Sequence, residues 1–186
     1  REGDYFYVDR TDRIPLIEEA GSQLLFLRPR RFGKSLWLST LENYYDLARA
    51  DDFERLFGGL KIGRNPTPLR NRYFIPKLNF SMIDSQGDYA TIRSSLFHHL
   101  NIQIKETVAR YSDWLEGRVD IQADDGIASL QSLTSAVSQT PHKLYVLVDE
   151  YDNFANEVMI SPLRGTHRYE ELVQGEGTIK TFFKAL

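Results

Sequence analysis

Residues 24–35 read LLFLRPRRFGKS, and this stretch decides the fold that the sequence predicts. The run QLLFL, residues 23–27, is short, continuous and apolar, which is typical of a parallel strand buried on both faces. A helical pattern begins directly after Gly33, Lys34 and Ser35. The sequence therefore places a glycine, a lysine and a serine at the junction between a buried strand and a helix.

A glycine, lysine and serine at such a junction form the second half of the phosphate-binding pattern G-x-x-x-x-G-K-[ST]. In that pattern, backbone N–H groups and the positive end of the helix surround a phosphate, the lysine contacts the β- and γ-phosphates, and the hydroxyl binds Mg²⁺. The first glycine of the pattern would fall at Arg28 and is absent. Because the bare tripeptide also occurs in ordinary basic turns, the prediction depends on its setting between a strand and a helix.

A second apolar run ends in two adjacent acids. LYVLVDEYD, residues 144–152, contains Asp149, which is predicted to hold Mg²⁺ or its water, and Glu150, which is predicted to polarise the attacking water. Acids at a strand end can also be solvated loop residues. Their occurrence in one chain with Lys34 and Ser35, each pair at the carboxyl end of an apolar run, favours a single Mg-nucleotide site.

The same residues distinguish between classes of nucleotide-binding protein. A regulatory GTPase would carry D-x-x-G after its second strand, whereas Asp149 is followed by Glu150, Tyr151 and Asp152. No N-K-x-D guanine-binding motif occurs. A glutamate at the strand end is characteristic of the ATPase branch that includes the AAA+ proteins.

The remaining pattern predicts an α/β protein with a parallel sheet flanked by helices. Strands are predicted over residues 23–27, 143–148 and, from an alternating pattern, 76–84. Residues 60–73, rich in Gly, Pro, Arg and Asn, are predicted to form a loop.

Three helices are predicted: one behind Ser35, one capped by Asp88 and one capped by Asp124 or Asp125. Their predicted buried positions are Leu38, Leu41 and Tyr45 in the first; Ile92, Leu96, Leu100, Ile104 and Val108 in the second; and Ile127, Leu130, Leu133 and Val137 in the third. Tyr44, Tyr45, Phe182 and Phe183 are expected in the core.

Composition excludes several classes of protein. The 186 residues carry a net charge of -3, which provides no global attraction for nucleic acid, and they contain no cysteine for a disulfide, a thiolate nucleophile or a zinc-thiolate site. Nothing in these residues resembles a signal peptide, and no apolar run approaches the roughly 20 residues that span a bilayer. We expect a cytoplasmic protein. The start at Arg1 and the uncapped pattern TIKTFFKAL, residues 178–186, indicate the amino-terminal part of a longer protein.

With these motifs together, the chain resembles the bacterial AAA-ATPase-like family. The segments that carry the resemblance are YFYVDRTDRIPLIEE (5–19), FLRPRRFGKSLWLSTLENYYD (26–46), FERLFGGLKI (53–62), PKLNFS (76–81) and VLVDEYD (146–152). The family commonly replaces the first glycine of the phosphate loop, so Arg28 is compatible with nucleotide binding. The resemblance implies one P-loop ATPase domain of the ASCE/AAA-like kind over residues 1–186, often joined to a carboxyl-terminal region similar to PD-(D/E)XK nucleases. The strands that carry sensor residues in related ATPases are not found before Leu186, so we expect the sheet to be truncated before its last core strands.

The predicted site combines the two motifs. The predicted nucleotide contacts are Arg30, Arg31, Phe32, Gly33, Lys34, Ser35 and Leu36, the metal ligands are Ser35 and Asp149, and the catalytic residues are Glu150 and Lys34. The cofactors are ATP and Mg²⁺. Arg30 and Arg31 are expected to contact nucleotide or another domain rather than DNA, since no other comparable basic stripe occurs.

Several other residues have two interpretations. In similar ATPases the segment of Asp9, Thr11 and Asp12 lies near the adenine, but Thr11 or Asp12 could equally cap a helix over IPLIEEAG. Asp152 is interpreted as a local structural residue rather than a Mg²⁺-water ligand. Adjacent His98 and His99 point about 100° apart on a helix, which favours packing over metal binding.

The function predicted from these observations is Mg-dependent binding and hydrolysis of ATP that drives or gates a partner or an attached domain. Two alternatives stay open: a nucleotide-gated binding switch with little turnover, and the ATP-binding regulatory part of a nuclease with nucleic-acid contacts. The sequence also leaves open whether the chain forms a homo-oligomer, and no membrane partner is expected.

Overall fold

The computed structural model describes residues 7–27, 29, 31–84, 88–151, 181, 182 and 184. These residues form helices and short strands, two of which pair in parallel, so the predicted α/β composition is confirmed. The chain divides into two compact units, Arg1–Phe74 and Ile75–Leu186. In the described ranges, no helix has both the length and the hydrophobicity needed to cross a bilayer.

The first unit is mainly helical. In chain order its elements are a 3-10 turn at Thr11–Arg13, α1 (Ile14–Glu19), α2 (Lys34–Tyr45), a 3-10 turn at Leu47–Asp52, α3 (Phe53–Phe57), α4 (Lys61–Arg64) and β1 (Tyr73–Phe74). Helix α2 confirms the helix predicted behind Ser35. Its predicted inward positions are buried at Leu41 and Tyr45 and half-buried at Leu38.

Aromatic side chains form the centre of this unit. The Tyr44 ring lies 5.0 Å from that of Tyr45 and 5.4 Å from that of Phe57, both edge-on, and Phe53 stacks on Phe57 at 5.3 Å. Edge-to-face pairs at these separations contribute packing energy beyond the buried area. The predicted core positions of Tyr44 and Tyr45 are confirmed.

Polar contacts fix the carboxyl-terminal end of α2 within the same core. The Tyr45 hydroxyl donates to Glu18 Oε1 at 3.0 Å, and Thr67 Oγ1 donates to the same oxygen at 2.7 Å. The Tyr44 hydroxyl accepts from the Thr67 amide at 2.8 Å. These bonds connect α2 to α1 and to the segment after α4.

The loop predicted over residues 60–73 is wrong in part, because the short helix α4 lies within it. Its first amides are capped from far upstream: the Lys61 amide donates to Asp9 Oδ2 at 2.7 Å and the Ile62 amide to buried Thr11 Oγ1 at 3.1 Å. Local composition cannot reveal a cap that lies some fifty positions away, and β1 at Tyr73 also falls in the predicted loop.

The capping prediction for Thr11 and Asp12 is likewise wrong, because α1 has no side-chain cap. Asp9 Oδ1 instead accepts from the Thr11 amide at 2.9 Å, and Asp12 forms an ion pair with Lys61 at 3.2 Å. Partial burial would raise the pKa of Asp9, but hydrogen bonds from Thr11 and Lys61 outweigh it and hold the pKa below its usual value.

Residues 23–27 differ most from the prediction of a buried strand. They form neither helix nor strand, and Leu25 and Leu27 are 81% and 76% exposed. A strand is buried on both faces only inside a sheet, and no paired strand of the described ranges includes this run. A run of apolar residues indicates that the side chains favour burial, but it does not indicate which strands, if any, pair with the run. The predicted strand is therefore wrong in this structure.

The second unit packs helices against a parallel strand pair. In chain order its elements are β2 (Lys77–Asn79), a 3-10 turn at Phe80–Met82, α5 (Tyr89–Arg110), α6 (Ser112–Leu115), α7 (Gly126–Ser138), β3 (Lys143–Leu144) and β4 (Leu147–Asp149). β2 and β4 pair in the register Lys77↔Leu147, Leu78↔Val148 and Asn79↔Asp149.

Two strand predictions are thus confirmed in part. The run 143–148 forms β3 and the start of β4, with a break at residues 145–146. The run 76–84 is extended only as far as Asn79, whose Oδ1 accepts from the Ser81 amide at 3.0 Å and turns the chain into the 3-10 segment. As a result Met82, a predicted strand residue, is 71% exposed.

Both helix caps predicted for this unit are present. Asp88 Oδ1 accepts from the Thr91 amide at 2.9 Å, and Asp125 Oδ1 accepts from the amides of Ile127 and Ala128 at 3.0 Å. The predicted stripes are buried except at Val108 and Ile127, which are half-buried: Ile92, Leu96, Leu100 and Ile104 on α5, and Leu130, Leu133 and Val137 on α7.

The remaining core predictions concern Phe182, Phe183 and the two histidines. Phe182 is buried with its ring 5.7 Å from that of Phe80, which confirms its core position, while Phe183 lies outside the described residues. His98 is exposed. His99 is half-buried and its Nε2 lies 2.8 Å from the Asn79 carbonyl oxygen, which confirms the packing interpretation.

Gly63 in α4 has no room for a side chain, because a Cβ there would overlap the Phe57 carbonyl group and lie 2.7 Å from its carbon. We expect Gly63→Ala to lower the free energy of unfolding by about 1–3 kcal/mol, the usual cost of overpacking. Urea unfolding followed by circular dichroism measures this. Arg64→Ala at the exposed neighbouring position is the control, and equal stability of the two variants would contradict the prediction.

Burial lowers the pKa of His99 below its ordinary value of 6.5, although the Asn79 carbonyl and Glu106 oppose the shift. Since the unfolded chain then binds more protons, His99 contributes stability above about pH 6.5 that is lost as the pH falls. We expect stability to decline more between about pH 7.5 and about pH 5.5 in the unaltered chain than in His99→Gln. Chemical unfolding at both pH values measures this, and identical declines would contradict it.

Candidate functional site

The candidate phosphate loop in the first unit turns through two residues with left-handed backbone. Arg31 has φ 68° and Gly33 has φ 79°. The Phe32 amide donates to the Pro29 carbonyl at 3.4 Å, which closes the turn. Glycine adopts this conformation without strain, whereas a side chain costs about 1 kcal/mol or more. Left-handed residues in tight loops are a component of main-chain anion-binding concavities.

Helix α2 begins directly behind this turn, so Lys34 and Ser35 are its first two residues. The Trp37 amide donates to the Gly33 carbonyl at 2.9 Å, the first bond of the helix. Gly33, at the N-cap, has no side chain to cap the helix, and no acidic residue lies in the first turn. No side-chain carboxylate of that turn therefore offsets the positive end of this twelve-residue helix.

The side chains around the turn face solvent. Arg31 and Ser35 are exposed, Lys34 is half-buried, and the apolar side chains of Phe32 and Leu36 are 62% and 57% exposed. Arg28 and Arg30 lie outside the described residues. The Ser35 hydroxyl is accessible at the helix start, where a ligand oxygen could serve a metal bound to phosphate.

The acidic pair lies in the second unit, where β4 ends. Asp149 is the last residue of β4, and its Oδ1 accepts from the Glu150 amide at 3.0 Å. Glu150 has φ 59°, a left-handed conformation that costs a side-chain-bearing residue energy. The Tyr151 ring then packs edge-on against Phe80 at 5.7 Å. The chain thus turns sharply at the predicted base.

Both carboxylates have oxygen atoms that could accept a hydrogen bond or bind a metal. Within the described part of the chain, neither Asp149 Oδ2 nor the Glu150 carboxylate has a hydrogen-bond or ion-pair partner, and both residues are half-buried. Asp152 lies outside the described residues.

Groups of three or more His, Cys, Asp or Glu that could hold a metal do not occur among the described residues. Mg²⁺ does not require a group of that size, because it binds through one or two protein oxygens and completes its shell with water and phosphate. Ser35 and Asp149 are oxygen donors of that kind.

The residues near the amino end have structural roles. Asp9 and Thr11 cap α4, and Asp12 pairs with Lys61, as described above. Asp9, Asp12 and Lys61 line a cavity of about 500 Å³ together with Arg10 and Arg13. Sequence reasoning missed these two arginines, and their three-residue spacing on one turn was the available signal.

Comparison with known proteins covers the whole chain at the family level. The model of the AAA-ATPase-like family, described as "Predicted AAA-ATPase", matches residues 1–186. An "Uncharacterized protein in vnfD 5'region" from Azotobacter chroococcum mcd 1 is 44% identical over 63 residues, which is 33% of this chain and 11% of that protein. The match therefore spans about a tenth of that relative's length. No solved structure matches the chain.

The family match extends from the first residue to the last, and it includes both the Gly33-Lys34-Ser35 turn and the Asp149-Glu150 strand end. The chain belongs to the AAA-ATPase-like family.

Proposed function

We propose that this chain binds ATP with Mg²⁺ and hydrolyses it, and that turnover drives or gates an attached domain or a partner. The observation that carries the proposal is the start of α2. A left-handed glycine precedes the helix, and a lysine and a serine form its first two positions without an acidic neighbour in the first turn. Such a helix end favours a phosphate through its amides and its dipole. Family membership supports the choice of ATP.

Each proposed ligand has one task. Lys34 binds the β- and γ-phosphates and offsets their charge, while the amides of the Gly33 turn surround the β-phosphate. Ser35 and Asp149 hold Mg²⁺, which when bound neutralises charge on the phosphate oxygens. Arg30, Arg31, Phe32 and Leu36 are proposed as outer contacts of the nucleotide.

Glu150 is the proposed general base. It accepts a proton from the water that attacks the γ-phosphorus, and the bond between that phosphorus and the β–γ bridging oxygen breaks to give ADP and phosphate. A carboxylate without a competing partner in the described ranges suits this role. Its left-handed backbone fixes the direction in which the side chain leaves the strand end.

A second candidate is a nucleotide-gated binding module with slow turnover. The observation in its favour is the apolar exposure on both sides of the turn, at Leu25, Leu27, Phe32 and Leu36. Exposed apolar groups of this kind mark interaction surfaces. A change in oligomeric state on adding ATP, without release of phosphate, would select this module over the ATPase.

Lys34 provides the first test. We expect Lys34→Ala to weaken binding of a fluorescent ATP analogue about tenfold or more, because a hydrogen bond to a charged group contributes roughly 1.5–3 kcal/mol. Lys105→Ala, at an exposed lysine on α5, is the control and should bind like the unaltered chain. Equal affinity in both variants would contradict the proposed phosphate contact.

Glu150 provides the second test. In Glu150→Gln the side chain keeps its size but cannot accept the proton, so we expect phosphate release to fall by about 10²–10⁴-fold while the affinity for ATP stays within about threefold. Phosphate release and analogue binding are measured on the same preparation. Turnover at the unaltered rate would show that Glu150 is not the base.

A further inference from the structure

A polar cluster on α5 contacts the last residue of β2. His99 Nε2 lies 2.8 Å from the Asn79 carbonyl oxygen, and the Gln103 amide nitrogen lies 2.6 Å from the same ring nitrogen. Because a carbonyl oxygen only accepts, Nε2 carries the proton and donates it, so the Gln103 N–H does not donate to this nitrogen as well. Gln103 is buried against this ring, and its Oε1 has no partner in the structure.

The Asn79 carbonyl lies on the edge of β2 that faces away from β4. Successive carbonyls of a strand point to opposite edges, and the Pro76 carbonyl accepts from Leu147 of β4 at 3.0 Å. The carbonyl three residues later therefore points outward. In the described ranges no further strand pairs with this edge of β2, and His99 donates the hydrogen bond that the Asn79 carbonyl would otherwise accept from a strand.

Asn79 is also fixed by its side chain, and its position bears on the acidic pair. Its Oδ1 accepts from the Ser81 amide, so both of its oxygen acceptors are engaged. It is the register partner of Asp149. The next residue, Phe80, packs on Tyr151, so the strand ends are joined on both sides of Glu150.

We infer that His99 is a positioning residue for the acidic pair: by holding the Asn79 carbonyl it fixes the end of β2, and through the strand pairing it fixes the direction of Asp149 and Glu150. The inference rests on the proposed function, in which Asp149 holds Mg²⁺, and adds a residue of α5 that contacts neither metal nor nucleotide.

The test compares four variants of the 186-residue chain. His99→Ala removes the donor, and His99→Gln places an amide N–H at a similar reach. His98→Ala is the exposed neighbour. Asn101→Ala removes a buried side chain of α5 that donates to Gln122 and Ala123 instead of to β2, at 2.8 and 3.2 Å, and so controls for general destabilisation.

The first readout is amide hydrogen exchange in Leu147–Asp149 and Glu150, which needs no nucleotide. The second is the Mg²⁺ concentration that gives half-maximal binding of an ATP analogue. We expect His99→Ala to accelerate exchange at these amides and to raise that Mg²⁺ concentration about three- to tenfold, the range of one hydrogen bond. His99→Gln should restore both, and Asn101→Ala should leave the Mg²⁺ requirement unchanged.

Either of two results would overturn the inference: unchanged exchange and Mg²⁺ requirement in His99→Ala, or an equal rise in Asn101→Ala. Failure of the proposed function is recognised separately, because the unaltered chain would then show no Mg²⁺-dependent binding of the analogue. In that case the exchange measurement still decides whether His99 fixes the strand end.

Discussion

Parallel hydrogen bonding between β2 and β4 is the interaction on which the acidic end of the candidate site depends. The register sets Asn79 opposite Asp149, and a slip of one residue would place Val148 there and reverse the faces of every side chain in β4. Two such short strands are not stable alone. They are held because α5 supplies a donor to the outer edge of β2 and because Phe80 packs on Tyr151 and Phe182. The positions of the two half-buried carboxylates therefore follow from the aromatic and helical contacts that hold the strand pair.

A different constraint positions the amino-terminal end of α2, where phosphate binding is proposed. The two ends of this helix have opposite character: Gly33, Lys34 and Ser35 begin it near solvent, while Tyr44 and Tyr45 end it in an aromatic core. Hydrogen bonds to Glu18 and Thr67 fix the buried end. Since a helix is rigid over twelve residues, anchoring at one end determines where the other end presents its amides. The contacts that stabilise α2 thus lie at the end opposite the Gly33 turn.

Local signals in the sequence were sufficient for some elements and insufficient for others. Asp88 and Asp125 cap helices within three residues of themselves, so their caps could be predicted. The cap of α4 comes from Asp9 and Thr11, and no short window contains both partners. The apolar run 23–27 indicated burial that this structure does not provide, since periodicity cannot identify neighbouring strands. Of the candidate site, the sequence indicated the residue types, the helix behind Gly33 and the strand that ends at Asp149, but the strand predicted before the turn was wrong. The sequence could not indicate the left-handed backbone of Glu150 or the contact of His99 with Asn79.

The proposed function depends above all on the binding of ATP phosphates by the first turn of α2. Backbone amide chemical shifts of the isotopically labelled 21.6 kDa chain, recorded during titration with a non-hydrolysable ATP analogue and Mg²⁺, test it most directly. We expect saturable shifts at Gly33, Lys34 and Ser35 with the analogue, and none of comparable size with adenosine, which has no phosphates. Saturating shifts confined to other segments, or equal shifts with adenosine, would contradict it.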